Sequence, residues 1–270
     1  MTVFYSKKIL NLPKNTKGRD FIVGDIHGRF DLLVLGLEAV DFDESKDRVI
    51  SVGDLIDRGM FSELAGDFLK FPFFFAVRGN HEDCLIELRS TDKPPLDFVE
   101  YHKTKMGSDW WFKINEDIRR DLIDQIRKVP MLIEIEHDEG NIGVIHADIP
   151  EYLHWMDFKS FIDKGDEASI LQALWGRNRL DYSKEKEVKG IKYLFVGHTV
   201  QPKARKLANV IAIDTGAVFK NHLTLFEIGS SVNLLNNKDN IYADICVYTK
   251  QEGRKDFIVT ESSTLIDVTE

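Results

Sequence analysis

The sequence predicts an α/β fold in which a sheet is covered by helices. Short apolar runs typical of buried strands alternate with segments of helical pattern, which is the arrangement of α/β proteins. Each of the first three apolar runs is followed, directly or after one residue, by glycine and then by a polar residue that can bind a metal ion. Since α/β folds of 270 residues commonly stay one domain, and the sequence contains no convincing linker, we expect one domain over residues 1–270.

The first part of the chain alternates strands and helices. Asp31 stands where a helix cap is expected, and the leucines of residues 32–40 predict a helix that Gly36 weakens. Residues 61–70 fit a second helix. The predicted strands of this part are residues 21–23, 48–52 and 73–77.

The second part of the chain is richer in strands. Residues 94–127 are polar and predict a helix in their later part, with Trp110 and Trp111 facing inward. Further strands are predicted at residues 132–136, 142–145, 193–196, 210–213, 223–228, 244–248 and 257–259. Residues 231–270 are expected to form a β-rich C-terminal extension, whose role the sequence leaves open, as it does the oligomeric state.

Composition restricts the kind of protein. A net charge of −9 argues against a nucleic-acid partner bound through a basic surface. The two cysteines, Cys84 and Cys246, are too few for a disulfide framework. No stretch approaches the roughly 20 apolar residues that a membrane span needs, so no membrane partner is expected. Residues 1–20 lack the apolar run of a signal peptide. We therefore expect a soluble, cytoplasmic protein.

Five segments place His, Asp or Asn beside glycine or at a strand end. They are residues 24–28 (GDIHG), 53–59 (GDLIDRG), 79–82 (GNHE), 146–148 (HAD) and 197–199 (GHT). Ligands of α/β sheets collect beyond the carboxyl ends of the strands, so we expect these loops to converge. The candidate metal ligands are Asp25, His27, Asp54, Asn80, His146 and His198.

This set of nitrogen and oxygen donors predicts the kind of metal site. Without a thiolate, it favours Mn, Fe, Zn or Mg over a structural zinc site. Six protein ligands suit two neighbouring ions that share one ligand. Two ions roughly 3.5–4 Å apart can clamp a phosphate and lower the pKa of water toward neutrality. Arg58 and Arg177 are candidates for bidentate binding of that phosphate, which an acidic chain must otherwise repel.

These motifs resemble those of the PPP-type phosphoprotein phosphatases, within the calcineurin-like metallophosphoesterases. The family pattern GDxHG, GDxxDRG and GNHE stands intact at residues 24–28, 53–59 and 79–82. Residues 144–150 and 213–219 resemble the bacterial and bacteriophage, lambda-type branch. The resemblance covers roughly residues 20 to 228. It implies a β-sandwich of two mixed sheets flanked by helices, in αββα layers.

The resemblance also implies residue roles. One metal is held by Asp25, His27 and Asp54, and the other by Asp54, Asn80, His146 and His198. His81 is the general acid and Asp57 its orienting partner, while Arg58 and Arg177 bind phosphate; Arg179 is an alternative to Arg177. Two divalent ions, of which Mn²⁺ is preferred over Fe, Zn or Mg, direct a bridging hydroxide at phosphorus. The expected substrates are phosphoproteins bearing phosphoserine, phosphothreonine or also phosphotyrosine.

Several other polar residues and two other functions compete with this interpretation. Glu82, Asp148 and Asp214 are expected to support loops rather than react. Four other histidines are expected to be ordinary surface or core residues: His102, His137, His154 and His222. A dinucleoside polyphosphate hydrolase would use the same scaffold, but there we expect GNHD and His-Ala-Gly where this chain has Glu82 and Asp148. A binding module without catalysis is disfavoured because no ligand is missing.

Overall fold

The computed structural model describes residues 8–91, 93–220 and 222–228, together with the backbone of residues 245–249 and 256–259. Two six-stranded mixed sheets form its centre. The first sheet, in spatial order, contains β1 (Ile9–Leu12), β5 (Leu132–Ile135), β6 (Ile142–Ile145), β7 (Tyr193–Val196), β9 (Val210–Ala212) and β8 (Arg205–Leu207). The second contains β12 (Asp256–Val259), β11 (Ile245–Thr249), β10 (His222–Ile228), β2 (Asp20–Val23), β3 (Arg48–Ser51) and β4 (Phe74–Ala76).

The two sheets pack face to face as a sandwich. Ile22 and Ile50 of the second sheet share a buried apolar cluster with Val144 of the first. The ring of Phe195 on β7 lies 5.0 Å from that of Phe226 on β10. Because side chains alternate along a strand, the opposite face of each sheet is left for helices to cover.

Helices cover both outer faces, which completes the predicted αββα layers. The second sheet is covered by α1 (Phe30–Ala39), α2 (Ala65–Phe68), α3 (Asn80–Arg89), α4 (Leu96–Tyr101) and α5 (Glu116–Ile126). The first is covered by α6 (Trp155–Lys164), α7 (Glu167–Trp175) and α8 (Asn178–Asp181). A short α9 spans Ala217–Lys220, and a π-helical turn over His102–Met106 follows α4. None of the described helices combines the length and hydropathy that crossing a bilayer requires.

Parallel pairing places three loops of the second sheet at one edge. β2 pairs in parallel with β3, and β3 with β4. In the first sheet, β6 pairs in parallel with β7. Within each sheet, the loops that follow these parallel strands therefore begin at the same edge. The sequence places the GDIHG, GDLIDRG, GNHE, HAD and GHT motifs in these five loops.

Two predictions of local structure are wrong. Asp31 does not cap α1, because its carboxylate accepts a hydrogen bond from Arg29 Nε at 2.9 Å and the N-cap is Arg29 itself. Residues 61–70 do not form one continuous helix. They form a 3-10 turn over Ser62–Leu64 and then α2, which ends where the Phe68 ring stacks at 4.5 Å on Phe30 in the core.

The C-terminal extension predicted for residues 231–270 is described only in part. Its two described segments, β11 and β12, extend the second sheet beyond β10. Residues 229–244, 250–255 and 260–270 lie outside the described residues. That residues 1–270 form a single domain stays a prediction.

Candidate metal centre and active site

The five motif loops converge on one buried cluster, as the sequence analysis expects. Asp54 contributes to two groups of donors in which the candidate ligand atoms all lie within 4.8 Å of one another. One group also contains His27 and His81, and the other His146 and His198. The Asp54 carboxylate thus lies between the loops of the second sheet and those of the first.

The backbone of these loops is held in uncommon conformations. Eight non-glycine residues of the described chain have positive φ, and five belong to the motif loops: His27, Asp54, Asp57, Arg58 and His198. Such conformations cost energy outside glycine and persist where the surroundings fix them, often at functional sites. Gly79 and Gly197 are required by close approach: a Cβ at either would lie 2.1 Å from Asp54 Oδ1 or 1.9 Å from Asp25 Oδ1.

The imidazoles present lone pairs to the cluster. His27 Nδ1 donates to the Ile56 carbonyl at 2.9 Å, and His146 Nδ1 donates to the Val52 carbonyl at 2.9 Å. In a neutral imidazole this leaves Nε2 as an acceptor. His146 Nε2 then lies 2.8 Å from Asn80 Oδ1 and 3.4 Å from Asp54 Oδ1, which are acceptors as well. Acceptors that face one another at such distances are the arrangement that a cation stabilises.

The remaining candidate ligands complete this arrangement. His198 Nδ1 lies 2.9 Å from Asn80 Oδ1, and its Nε2 is buried without a hydrogen-bond partner in the described chain. Asp25 is 2% exposed, and its carboxylate accepts the His198 backbone N–H at 3.0 Å. Asp25 is not a member of either three-donor group, although it lies near Asp54 and Asp214.

Burial favours the neutral form of His27, His146 and His198, which is the form that binds metal ions. Burial, with the charge of His81, lowers the pKa of His27 to about 3, and burial also lowers the pKa of His146 and His198. Burial raises the pKa of Asp25, as do the carboxylates of Asp214 and Asp54. Divalent cations would offset this concentration of buried negative charge, and neutral imidazoles are the form that binds them. The residues present therefore fit divalent metal ions.

His81 is the exception among the histidines. Burial opposes its charged form, but the carboxylates of Asp54 and Asp57 outweigh burial and the pKa of His81 is raised. Its Nδ1 donates to Asp57 Oδ2 at 2.7 Å. The second oxygen of Asp57 accepts from Trp110 Nε1 at 2.8 Å. The Nε2 of His81 lies 3.9 Å from Asp54 Oδ2, so the imidazole faces the metal-competent donors.

The two candidate phosphate-binding arginines lie on the exposed side of the cluster. Arg58 Nη1 lies 2.6 Å from His27 Nε2, and its guanidinium stacks over the Phe219 ring at 5.3 Å. Arg177 is exposed and lies close enough for its charge to act on His146 and His198. Arg179, in contrast, is 1% exposed and donates from Nε to Asp148 Oδ1 at 2.8 Å. Its guanidinium is therefore occupied within the fold.

Glu82 supports the loops, as the sequence analysis expects. Its Oε2 accepts from the backbone N–H groups of Gly79 and Asp54, at 2.8 and 3.0 Å. Its Oε1 accepts from the N–H of Leu55 at 2.8 Å and of Ile56 at 3.3 Å. One buried carboxylate thus joins the GDLIDRG loop to the GNHE loop.

Sequence reasoning missed Trp110 as part of this site. The sequence predicts that Trp110 faces inward, and its side chain does pack against the core. Its indole N–H also reaches the carboxylate of Asp57, 53 residues earlier in the chain. No local sequence pattern predicts a contact between residues so far apart in the chain.

Comparisons with known proteins agree with this geometry. The model of the calcineurin-like phosphoesterase family matches residues 21–202. Serine/threonine-protein phosphatase 1 of Salmonella typhimurium is 32% identical over 211 residues, which cover 77% of this chain and 91% of that protein. The asymmetrical bis(5'-nucleosyl)-tetraphosphatase PrpE of Oceanobacillus iheyensis is 26% identical over 76% of this chain and 86% of its own length. A protein serine/threonine phosphatase from Saccharomyces cerevisiae shares the fold, with a TM-score of 0.59 at 16% identity, over 92% of this chain and 85% of that one.

Proposed function

This chain belongs to the calcineurin-like phosphoesterase family, and from that premise we propose that it is a phosphoprotein phosphatase hydrolysing phosphoserine and phosphothreonine monoesters. The observation that carries the proposal is the buried cluster around Asp54, where lone pairs of His27, His146 and Asn80 converge beside two arginines. The serine/threonine-protein phosphatase named above matches at higher identity than the tetraphosphatase.

The proposed ligands of two divalent ions are the six predicted residues. Asp25, His27 and Asp54 hold one ion, and Asp54, Asn80, His146 and His198 the other. The position of Asp54 in both donor groups supports its role as the shared ligand. Ions bound there supply charge neutralisation for the phosphate and a water of lowered pKa. We propose Mn²⁺, since the nitrogen and oxygen donors suit it; Fe, Zn and Mg are the alternatives that a metal titration would separate.

His81 acts as the general acid in the proposed reaction. As a water oxygen bonds to phosphorus and the ester P–O bond breaks, the proton on His81 Nε2 passes to the departing alcohol oxygen. Asp57 holds the Nδ1–H at 2.7 Å and thereby fixes the direction in which Nε2 points. Since both residues are almost fully buried, water does not compete for this hydrogen bond.

Arg58 and Arg177 bind the substrate phosphate. Arg58 lies at the His27 side of the cluster and Arg177 on the side of His146 and His198. A phosphate between them would receive donors from both sides. The ion pair of Arg179 with Asp148 supports Arg177 over Arg179 as the second clamp.

Hydrolysis of dinucleoside polyphosphates is the competing activity, because the tetraphosphatase relative shares the family. The test uses protein stripped of metal by a chelator and re-supplied separately with Mn, Mg, Zn or Fe. Phosphoserine, phosphothreonine and phosphotyrosine peptides are compared with diadenosine tetraphosphate under each condition. We expect metal-dependent release of phosphate from the serine and threonine peptides. Cleavage of the nucleotide alone would overturn the proposed function.

A further inference from the structure

A hydrogen bond behind the general acid involves a residue outside the five motifs. The carboxylate of Asp57 has two side-chain donors in the described chain: His81 Nδ1 at Oδ2 and Trp110 Nε1 at Oδ1. We propose that Trp110 is a positioning residue for the general acid, holding Asp57 in the one orientation that directs His81 at the leaving group. This inference rests on the proposed phosphatase activity and on the role of His81 in it.

Burial makes the indole donor hard to replace. Asp57 is 1% exposed and His81 is 2% exposed, so in the native structure bulk water does not reach the carboxylate. An ionised carboxylate deprived of a buried hydrogen bond relaxes toward other partners, and a bond to a charged group contributes about 1.5–3 kcal/mol. Without Trp110, the oxygen atoms of Asp57 lose the constraint that keeps Oδ2 on His81.

The backbone around Asp57 is held by the same segment of the chain that carries Trp110. Asp57 and Arg58 have φ values of 73° and 67°, which non-glycine residues adopt rarely. The Arg58 N–H donates to the Gly107 carbonyl at 3.0 Å. A Cβ on Gly107 would lie 2.9 Å from Arg58 Cγ, so the two segments are in close contact. The segment of residues 107–110 therefore holds the turn through its backbone and the Asp57 side chain through the indole.

The segment of residues 107–110 is itself held by a hydrogen bond to the preceding turn. It follows the π-helical turn, and the Ser108 N–H donates to the carbonyl of His102 at 3.0 Å. The phosphate-binding Arg58 and the acid-orienting Asp57 are neighbours in sequence. One segment outside the metal loops thus supports both the binding and the protonation of substrate.

The test compares Trp110→Phe with Trp111→Phe as a matched control. Both substitutions remove one indole, but Trp111 lies against Arg119 in the core, with a ring-to-guanidinium distance of 5.8 Å, and not at Asp57. Each variant is assayed on p-nitrophenyl phosphate, whose leaving group needs little protonation, and on an alkyl phosphate or phosphoserine peptide, whose leaving group needs it fully. Thermal unfolding and bound metal are measured for each preparation.

We expect Trp110→Phe to lower kcat about tenfold on the alkyl ester and less than about twofold on the aryl ester, since a fraction of the energy of one charged hydrogen bond is lost. KM and metal content stay at wild-type values. Trp111→Phe changes stability and leaves the ratio of the two kcat values unaltered. Equal losses on both esters in Trp110→Phe, or no loss on either, would overturn the inference.

A spectroscopic measurement separates this inference from the proposed function. In the ¹H–¹⁵N spectrum, the indole N–H resonance that Trp110→Phe removes should be protected from solvent exchange. It should lose this protection in Asp57→Asn and keep it in Trp111→Phe, where the resonance can shift because the two indole rings lie 5.9 Å apart, but the hydrogen bond to Asp57 stays. If the wild-type protein hydrolyses no phosphopeptide, the proposed function fails whatever the spectrum shows. If it is active and the Trp110 resonance is unaffected by Asp57→Asn, only the inference fails.

Discussion

Arg177 and Arg179 lie two residues apart, but replacing each by methionine should have different effects. Arg179→Met should lower stability, and Arg177→Met should lower activity. Arg179 is 1% exposed and bonds to Asp148, which is 3% exposed, so its removal leaves a buried carboxylate without its cation. Breaking one partner of a buried ion pair typically costs about 3–5 kcal/mol. Arg179 Nη1 also donates to the Lys186 carbonyl at 2.6 Å, a bond that methionine cannot replace.

We therefore expect Arg179→Met to lower the free energy of unfolding by about 4 kcal/mol, or the Tm by about 10 °C for a domain of this size. Its kcat/KM per folded molecule stays within a few-fold of wild type. Arg177 is exposed, so Arg177→Met changes stability by no more than about 0.5 kcal/mol. It lowers kcat/KM by about a hundredfold, because a positioned donor to the reacting phosphate is lost.

Urea unfolding monitored by tryptophan fluorescence gives the stabilities, and phosphopeptide hydrolysis gives kcat and KM. The double variant Arg179→Met with Asp148→Leu serves as control, since removal of both charges should restore part of the lost stability. Loss of activity in Arg179→Met with normal stability, together with a fully active Arg177→Met, would refute the assignment of the two arginines.

Three further predictions concern the shared metal ligand, the general acid and the pH dependence of stability. Asp54→Asn should reduce the content of both metal ions, measured by elemental analysis, and retention of two ions would contradict a shared ligand. His81→Asn should keep its metal and lose about 10²–10⁴-fold in kcat, most for poor leaving groups; equal losses on aryl and alkyl phosphates would contradict the acid role. Burial opposes ionisation of Glu134, but hydrogen bonds from Trp155 and Lys159 prevail and lower its pKa. The ionised carboxylate of Glu134 therefore stabilises the fold above the pKa that it has in the unfolded chain, and this stabilisation is lost as the pH falls through the lower pKa of the folded state. Glu134→Gln should make the urea midpoint fall less steeply as the pH is lowered, and an unchanged slope would argue against this.

The convergence of the candidate site could be predicted from the sequence because its candidate ligands stand in short motifs just after strands. Parallel pairing then brings distant loops to one edge without further information, which is why Asp25, Asp54 and Asn80 could be grouped in advance. The αββα layers followed from the resemblance, and the strand pattern supported them.

What the sequence did not predict depends on contacts between distant side chains. Arg177 and Arg179 have the same chemistry, and only burial beside Asp148 distinguishes them. The hydrogen bond of Trp110 joins two segments whose sequences are unrelated. The strands β1 and β8, of four and three residues, lack a pattern long enough to identify them. Helix α1 begins without a side-chain cap, so its first residue could not be located from Asp31.

The donors of the metal centre are divided between the two halves of the sandwich. His146 and His198 follow strands of one sheet, while Asp25, Asp54 and Asn80 follow strands of the other. Cations bound among them would act as a reversible cross-link between halves that otherwise adhere through apolar side chains. Ligands that bind only the native state stabilise it by mass action. The supply of metal in the surrounding medium would therefore shift the equilibrium between folded and unfolded chain as well as the turnover.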